Sequence, residues 1–579
     1  MKTFRIVLLV LIARAIVGQQ PAPASVSGVI VSAGSNTPLS KASVEVRNLD
    51  GTTVVTRIVT DREGQFVIQG IRPGSYRLVA TRDGYVNAEY GQRQPGSPAL
   101  NLTLTSGQAL TGVRLAMTQG GVISGHITDK GQPVGIADVV ALKISYVDGL
   151  PTLTEVLSSK TDDLGAYHIF WLPPGRYYLV TVIWDSAAQT FPVYVTPDGP
   201  DRGADYIQRR TIRAVLNRAI GSGAADDEAH VPIYFPNTPD PQSATAIEIR
   251  PGSDVRNIDI NASPLPIRHV RGRITGLPPN MKERPEVILF PLGPRLSATD
   301  SIFINEGQGD FSGTFDLARV PAGSYMLFGG TSDGKQIGRL PVTMREQDLD
   351  VVVPLAGTIQ ANGRMTIESQ PGTPPPGPQM KDFQVMIRAE SINEGESQAV
   401  SGDGTFKFTD IPLWDYRVLV SPLLIPAGQK PPYVPPALQS SYVKSIKMGE
   451  VDLLNSGLHI EGPLPGPIEV VIGTDAGVVE GRVINDRQQA VASIWVSLIP
   501  DSSLRYRVNH QFVSTNADGR FQFQGVAPGD YRLFAIEEAE RGSWQDPGFM
   551  RDYENRGTSV RIGANGRATM DVVSIPPRN

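Results

Sequence analysis

One short phrase recurs five times along the chain and constrains its fold more than any other feature. It consists of a turn that ends in glycine, an alternating strand and then Pro-Gly-x-Tyr-x-Leu, and its first copy runs from Thr60 to Leu78. The turn glycine and the tyrosine are separated by the same interval in every copy. A register this constant predicts one small fold used five times. The pairs are Gly64 and Tyr76, Gly165 and Tyr177, Gly313 and Tyr325, Gly404 and Tyr416, and Gly519 and Tyr531.

The residues around each phrase predict β-strands. Each copy opens with a glycine flanked by alternating apolar residues, and further alternating runs follow between turns. Such alternation is typical of strands with one buried face. The 59 glycines and 48 prolines also favour turn-rich β structure over helices. We therefore expect an all-β protein of five tandem Greek-key β-sandwich domains. The opening glycines are Gly28, Gly125, Gly272, Gly363 and Gly481.

The domain limits follow from the spacing of the copies. The second domain is expected to contain an insertion at 197–241, in which 206–219 is the one convincing helical segment of the mature chain. Junctions are short, so neighbouring domains are expected to abut and to lie end to end. The predicted domains are 25–118, 121–262, 267–355, 357–473 and 477–576.

Residues 1–20 are predicted to be a signal peptide. Lys2 and Arg5 precede a short apolar run at 6–12, and small residues such as Gly18 follow it. A membrane anchor is the alternative, but Arg14 interrupts the segment and the run is too short to span a bilayer. The expected location is secreted, periplasmic or cell-surface, with no transmembrane segment after cleavage. Cysteine is absent, so each domain must be stabilised without disulfides.

The repeated phrase resembles the carboxypeptidase regulatory-like domain family, a transthyretin-like (prealbumin-like) sandwich related to Cna B-type and carbohydrate-binding-like folds. The match is good at 60–78, 161–179 and 515–533, and the resemblance covers almost the whole mature chain. Two copies depart from it: Asp310 precedes an altered turn, and Trp414 replaces the usual glycine. The resemblance implies a secreted bacterial array of these domains. It implies little about function, because this module accompanies many different proteins.

No catalytic constellation stands out in the sequence. The zinc carboxypeptidase that gives the family its name would need an H-x-x-E pair, and none of the six histidines supplies it. A G-x-S-x-G match around Ser332 falls in a predicted β-turn rather than between a strand and a helix. Asp61 and Asp162 are expected to cap tight turns rather than to bind calcium. We expect no enzymatic activity, no cofactor and no metal.

Crosslinking and ligand binding are the remaining possibilities. Lys41 could form an isopeptide bond, but no Lys, Asn and acid set repeats in register. Exposed tryptophans could stack on sugar rings, with core or interface packing as the alternative for each. The five candidates are Trp171, Trp184, Trp414, Trp495 and Trp544, of which Trp495, Trp544 and Trp184 are singled out for ligand binding. A net charge of −5 offers no basic field for nucleic acid.

The favoured function is a secreted, non-enzymatic scaffold or adhesion-type protein that presents binding loops. The alternative is a carbohydrate-binding accessory protein. The expected partner is accordingly a polysaccharide or a cell-surface protein.

Overall fold

The protein is represented by a computed structural model, which describes residues 21–147, 150–183, 228–292, 295–296, 305–368, 378–389, 395–422, 441–501 and 511–576. The predicted signal peptide, the predicted helix at 206–219 and Trp184 lie outside these residues. The described chain is built of short antiparallel and parallel strands, with helices of at most five residues. The predicted all-β sandwich fold is therefore confirmed.

The chain divides into two units, one of residues 1–92 with 99–118 and the other of 93–98 with 119–579. In the part of the chain that the structure describes, the first contains one pair of sheets, and the second contains four successive pairs and one further sheet of two short strands. The domain limits proposed from the sequence stay a prediction. Within the ranges given above, no helix is long and apolar enough to cross a membrane.

The first pair of sheets encloses a core that includes Val26, Phe66 and Leu78. One sheet has the order β4-β1-β8, and the other has the order β3-β2-β5-β6 with β7 paired to β5. The strands are β1 (Ala24–Ser32), β2 (Ser43–Arg47), β3 (Val54–Val59), β4 (Gln65–Ile71), β5 (Gly74–Thr81), β6 (Ala88–Glu89), β7 (Leu102–Leu104) and β8 (Ala109–Met117).

The second pair repeats this plan around Ile123, Tyr167 and Tyr177. Its strands are β9 (Gly121–Asp129), β10 (Gln132–Pro133), β11 (Asp138–Val147), β12 (Leu150–Lys160), β13 (Ala166–Leu172), β14 (Gly175–Val182), β15 (Glu228–Ala229), β16 (Ile233–Tyr234), β17 (Ile247–Ile249), β18 (Asp254–Val255), β19 (Ile260–Asn261) and β20 (Leu265–Pro266), with a 3₁₀ turn at Pro241–Ser243. In one sheet β13 and β18 lie on opposite sides of β9.

The third pair surrounds Val270, Phe315 and Leu327. It has the sheet orders β25-β21-β28 and β24-β22-β26-β27-β29. The strands are β21 (Arg268–Thr275), β22 (Glu286–Pro291), β23 (Arg295–Leu296), β24 (Asn305–Gln308), β25 (Thr314–Val320), β26 (Gly323–Gly330), β27 (Gln336–Met344), β28 (Leu349–Pro354) and β29 (Ala356–Gly357). The short β23 pairs in parallel with β12 and so links the second and third pairs of sheets.

The fourth pair has the sheet orders β33-β30-β38-β35-β36 and β32-β31-β34-β37. Its strands are β30 (Ile359–Glu368), β31 (Phe383–Ala389), β32 (Gly395–Ala399), β33 (Thr405–Ile411), β34 (Asp415–Pro422), β35 (Tyr442–Met448), β36 (Val451–Asp452), β37 (Leu458–His459) and β38 (Ile468–Gly473). A 3₁₀ turn at Met380–Asp382 and a one-turn helix at Leu453–Ser456 complete it.

The fifth pair has the orders β42-β39-β45 and β41-β40-β43-β44. Its strands are β39 (Gly477–Ile484), β40 (Trp495–Pro500), β41 (Gln511–Ser514), β42 (Arg520–Val526), β43 (Gly529–Phe534), β44 (Thr558–Ile562) and β45 (Arg567–Val573). Short helical segments at Ser543–Gln545, Pro547–Arg551 and Glu554–Arg556 connect β43 to β44.

The opening glycine of each copy lies where the first strand meets the last. These two strands pair in parallel, as β39 does with β45 and β1 with β8. A Cβ at Gly481 would lie 1.8 Å from the carbonyl oxygen of Met570, and one at Gly28 would lie 1.8 Å from that of Val113. Real Cβ atoms do not approach a carbonyl so closely, so only glycine allows this pairing.

The repeated turn is held by the same hydrogen bonds in different copies. Asp162 accepts from the backbone N–H groups of Leu164 and Ala166, and Asp61 accepts from the two equivalent donors. Gly165 follows with φ of 73°, which favours glycine. The turn-capping role predicted for both aspartates is confirmed.

Candidate functional site

The two described tryptophans that the sequence singled out lie in one aromatic cluster on the fifth pair of sheets. Trp544 is 2% exposed, with ring centroids 6.1 Å from Trp495 and 4.7 Å from Phe512. Trp495, on β40, is half-buried and contacts Phe512 edge-on at 5.7 Å. Buried Ile499, Phe534, Ile536, Ala539, Met550, Tyr553 and Ile575 form the same core. Trp544 therefore packs inside the protein, and ligand binding by Trp495 stays a prediction.

The segment around Trp544 contacts the second pair of sheets. Lys143 on β11 donates to both carboxylate oxygens of Glu540, one of them at 2.6 Å. Tyr146, also on β11, hydrogen-bonds to Asp546, and burial together with that carboxylate raises its pKa to about 12. The second and fifth pairs thus touch. Junction length, from which an end-to-end arrangement with some bending was predicted, could not predict this contact, because it is made by a loop that departs from the repeat.

Trp414, the departure from the repeat in the fourth copy, joins the third and fourth pairs of sheets. Its ring stacks on Phe328 of β26, with centroids 4.8 Å apart and planes 9° apart. The guanidinium of Arg339 on β27 lies 4.6 Å from the Trp414 ring centroid. Both contacts join residues of different domains, and Trp414 is 3% exposed. An aromatic ring that stacks on a ring and a cation is a strong packing anchor.

Charged groups surround this joint. Asp415, next to Trp414, lies 3.7 Å from Arg339 and contacts the imidazole of His459 on β37. The other ring nitrogen of His459 is 3.0 Å from Glu461. Hydrogen bonds to Asp415 and then to Glu461 raise the pKa of His459 above its usual value. The joint therefore combines an apolar anchor with a charge network that responds to protonation.

No arrangement for catalysis is found among the residues that the structure describes. In these ranges no three His, Asp or Glu side chains are grouped so as to hold a metal ion. Ser332 lies in the turn between β26 and β27, and the adjacent Thr331 and Asp333 bond to each other at 2.6 Å. Where the pKa of a described carboxyl group is shifted, it is lowered. A hydrogen bond from the Thr405 side chain, for example, lowers the pKa of Asp403. A general acid needs the opposite shift.

A surface groove of about 380 Å³ lies beside β39, β42 and β45, lined by Glu480, Arg520 and Gln522 among others. Arg567 donates to both oxygens of Glu480 at 2.8 and 2.6 Å and holds the pKa of that carboxyl below its usual range. The carboxylate is thus already paired within the protein.

One tryptophan candidate that the sequence analysis did not single out, Trp171, belongs to an exposed aromatic pair in the part of the chain that the structure describes. Phe170 is 52% exposed and Trp171 is 46% exposed, side by side on β13. Strand alternation places neighbouring side chains on opposite faces, so it could not predict that both would face outward. The signal available in the sequence was that Phe170 and Trp171 stand where the other copies have no aromatic residue.

Comparisons with known proteins agree with the fold. A family model, the carboxypeptidase regulatory-like domain, matches residues 25–118, which contain nearly all of the first pair of sheets. The chain is accordingly a β-sandwich protein with a segment similar to this family. No curated protein matches the chain.

Solved structures share only remote likeness. The Bacillus anthracis TIE protein is 11% identical, with 75% of this chain and 69% of that chain covered and a TM-score of 0.14. A streptococcal ancillary pilin is 13% identical, with coverages of 54% and 100% and a TM-score of 0.17. The shaft pilin SpaA of Lactobacillus rhamnosus GG is 12% identical, with coverages of 42% and 98% and a TM-score of 0.17. Likenesses this weak support no statement about what the chain does.

Proposed function

We propose that the protein is a non-enzymatic scaffold of the extracytoplasmic or cell-surface type, which holds several β-sandwich domains in fixed relation and presents their loops. The observation that carries the proposal is where one copy departs from the repeat. Trp414 replaces a glycine that the other four copies keep, and it forms a joint between two domains rather than lining a pocket. A tryptophan at this contact helps to hold the two domains in a fixed relative position, and a scaffold requires such fixed positions.

Other joints support the same function. Lys143 and Glu540 connect the second and fifth pairs of sheets, and β12 pairs with β23 between the second and third. The second, third and fifth domains each have an apolar core of their own, whereas the core of the fourth includes Phe328 of the third and so extends across the joint at Trp414. Export through a signal peptide at 1–20 belongs to this proposal, and N-terminal sequencing of the exported protein tests it.

The joint itself can be tested with a variant that restores the repeat, Trp414→Gly. Because the chain has no cysteine, Ser332→Cys and Gly402→Cys give two unique attachment sites for spin labels, one in each domain. We expect a narrow distribution of distances between the labels in the parent protein. Trp414→Gly should broaden it while both domains stay folded. Equal widths in the two proteins would mean that Trp414 fixes nothing, and the scaffold proposal would lose its support.

The absence of activity is tested separately. Incubation with peptidase, esterase and glycosidase substrates, with and without added zinc, should give background rates. A rate that persists through repurification and disappears in Ser332→Ala would identify an enzyme instead.

For the carbohydrate-binding alternative, one observation favours Trp171 over Trp544. Trp544 is enclosed by protein, whereas the face of β13 exposes two aromatic rings.

A further inference from the structure

All five copies share a β-bulge near the end of the first hairpin strand. In the second copy, Ile169 pairs with Ile123 and Leu172 with Gly121, so that two residues of β13 lie opposite the single residue Val122 of β9. The same register shift occurs where β4 meets β1 and where β42 meets β39. A bulge of this kind redirects a side chain that would otherwise face the core.

The second copy alone places aromatic rings at the bulge. Trp171 has φ of 62°, in the left-handed region that bulky residues rarely adopt. The first and fifth copies have glycine there, Gly70 with φ of 77° and Gly525 with φ of 67°. A tryptophan in this conformation costs stability, and 46% of its surface is nevertheless exposed. The corresponding pairs in the other copies are Gln69–Gly70, Ala318–Arg319, Thr409–Asp410 and Gln524–Gly525.

A third ring extends the surface. His168, exposed on the same face of β13, stacks on Phe170 with centroids 5.5 Å apart and planes 7° apart. His168 and Phe170 therefore form a stacked pair of rings on the outer face of the strand, and the exposed Trp171 follows Phe170 at the bulge. We name these three residues the β13 shelf.

Polar groups lie across the sheet from the shelf. Asp254 on β18 pairs with Val122, the residue opposite the bulge, and so lies two strands away from Phe170 and Trp171, about 10 Å by the usual strand spacing. Arg256 donates to the Asp254 carboxylate from Nε at 2.7 Å. Arg256, with a weaker contribution from His168, lowers the pKa of Asp254, so the carboxylate is ionised and paired.

We propose that the β13 shelf and the Asp254–Arg256 pair form a binding site for a neutral polysaccharide of pyranose units. A pyranose has apolar C–H faces, which pack on aromatic rings, and a rim of hydroxyls, which bond to carboxylate and guanidinium groups. The shelf supplies the rings, and the ion pair supplies both an acceptor and a donor at the distance of a neighbouring sugar. Because Asp254 and Arg256 neutralise each other, the site has no net charge to select a polyanion.

This inference goes beyond the scaffold function and does not depend on it. The spin-label distances test the fixed joint, and the affinity electrophoresis described next tests sugar binding. Either proposal can therefore fail while the other holds.

The test is affinity electrophoresis of the whole protein in native gels that contain hydroxyethylcellulose, soluble starch, arabinoxylan or, as the polyanion, alginate. We expect at least one neutral polysaccharide to retard the protein and alginate not to. Trp171→Gly restores the residue of the first and fifth copies, so its melting temperature should equal or exceed that of the parent, while its apparent affinity falls about tenfold or more.

Two further variants complete the test. Phe170→Ser should also lose affinity, and it keeps the test decisive if Trp171→Gly does not fold. Trp495→Ala, in the separate fifth-domain cluster, should retain binding. The proposal is overturned if no neutral polysaccharide retards the parent, if retardation persists in Trp171→Gly and Phe170→Ser, or if alginate binds best. If the parent protein is a dimer that binds no sugar, and Trp171→Gly is a monomer, the shelf is a contact between two copies of the chain and the proposal is wrong.

Discussion

The hydroxyl of Tyr531 donates a hydrogen bond of 2.8 Å to the carbonyl oxygen of Ala527, four residues earlier in the chain. The tyrosine at the same position of every other copy donates to the residue four before it, at distances of 2.6 to 3.1 Å. The five tyrosines are therefore structurally equivalent, and each is at least partly buried. The other four bonds join Tyr76 to Arg72, Tyr177 to Pro173, Tyr325 to Pro321 and Tyr416 to Pro412.

This bond gives a first prediction, on stability. Tyr531→Phe should lower the free energy of unfolding of its domain by about 1 kcal/mol, because it leaves the Ala527 carbonyl without this donor. Tyr531→Ala also removes a ring that is 9% exposed and should cost about 3 kcal/mol. Urea unfolding monitored by tryptophan fluorescence measures both values. Tyr76→Phe is the matched control in a more exposed position, and its effect should be smaller. If Tyr531→Phe is neutral, the bond is not structural.

A second prediction concerns the opening glycines. Gly481→Ala should cost about 3 kcal/mol or prevent folding of the fifth domain, since the added methyl group meets the Met570 carbonyl and the parallel pair must separate. Gly563→Ala provides the control, because a Cβ there has nothing within 4 Å. Thermal unfolding of the two variants compares them directly. Similar melting temperatures would contradict the steric explanation.

A third prediction concerns the contact between the second and fifth pairs of sheets. A double-mutant cycle with Lys143→Ala and Glu540→Ala should give a coupling of about 0.5 kcal/mol at low salt, as expected for a partly exposed ion pair. The coupling should decrease at high ionic strength, where screening weakens such pairs. Additive effects at low salt would mean that the two side chains do not interact in solution.

A fourth prediction concerns pH. The folded-state pKa of His459 is raised above 6.5 by Asp415 and Glu461, so the folded protein binds this proton more tightly than the unfolded chain does. The resulting stabilisation should be fully present below about pH 6.5, while Asp415 remains ionised, and should be lost as the pH rises through the folded-state pKa. Arg339 also faces Asp415 and stays charged throughout.

The measurement is the melting temperature of the parent minus that of His459→Gln, followed from about pH 5 to pH 9. The difference should be largest at the acidic end and should shrink as the pH increases. Glu461→Gln should reduce it, because it removes the second partner of the imidazole. A difference that grows with pH would reverse the sign of the linkage and contradict the assignment.

The repeat made the fold predictable because its information is local. The turn caps at Asp61 and Asp162, and the spacing from each turn glycine to its tyrosine, involve residues close in sequence, so the pattern contains them. The opening glycines were also visible. The reason that glycine is needed there could not be predicted, because it depends on the parallel pairing of the first strand with the last.

The tryptophans were less predictable because their environments are set by distant segments. Trp495 alternates with buried neighbours, as an outward-facing residue would, yet the segment between β43 and β44 covers it with Trp544. Trp414 was recognised as a departure from the repeat, but only the third domain shows what it contacts. Strand alternation could not predict that Trp171 is exposed next to Phe170, because a bulge inserts an extra residue into the strand.

The parallel pairing of the first and last strands determines how each domain carries mechanical load. The chain enters at the start of the first strand and leaves at the end of the last, so tension on the chain pulls β39 and β45 in opposite directions along their common axis. In this shear geometry the hydrogen bonds between the strands are loaded together, whereas in an unzipping geometry they would break one after another. A tethered domain of this topology therefore resists extension until the whole strand pair yields, and the close fit at Gly481 lies within the pair that carries the force.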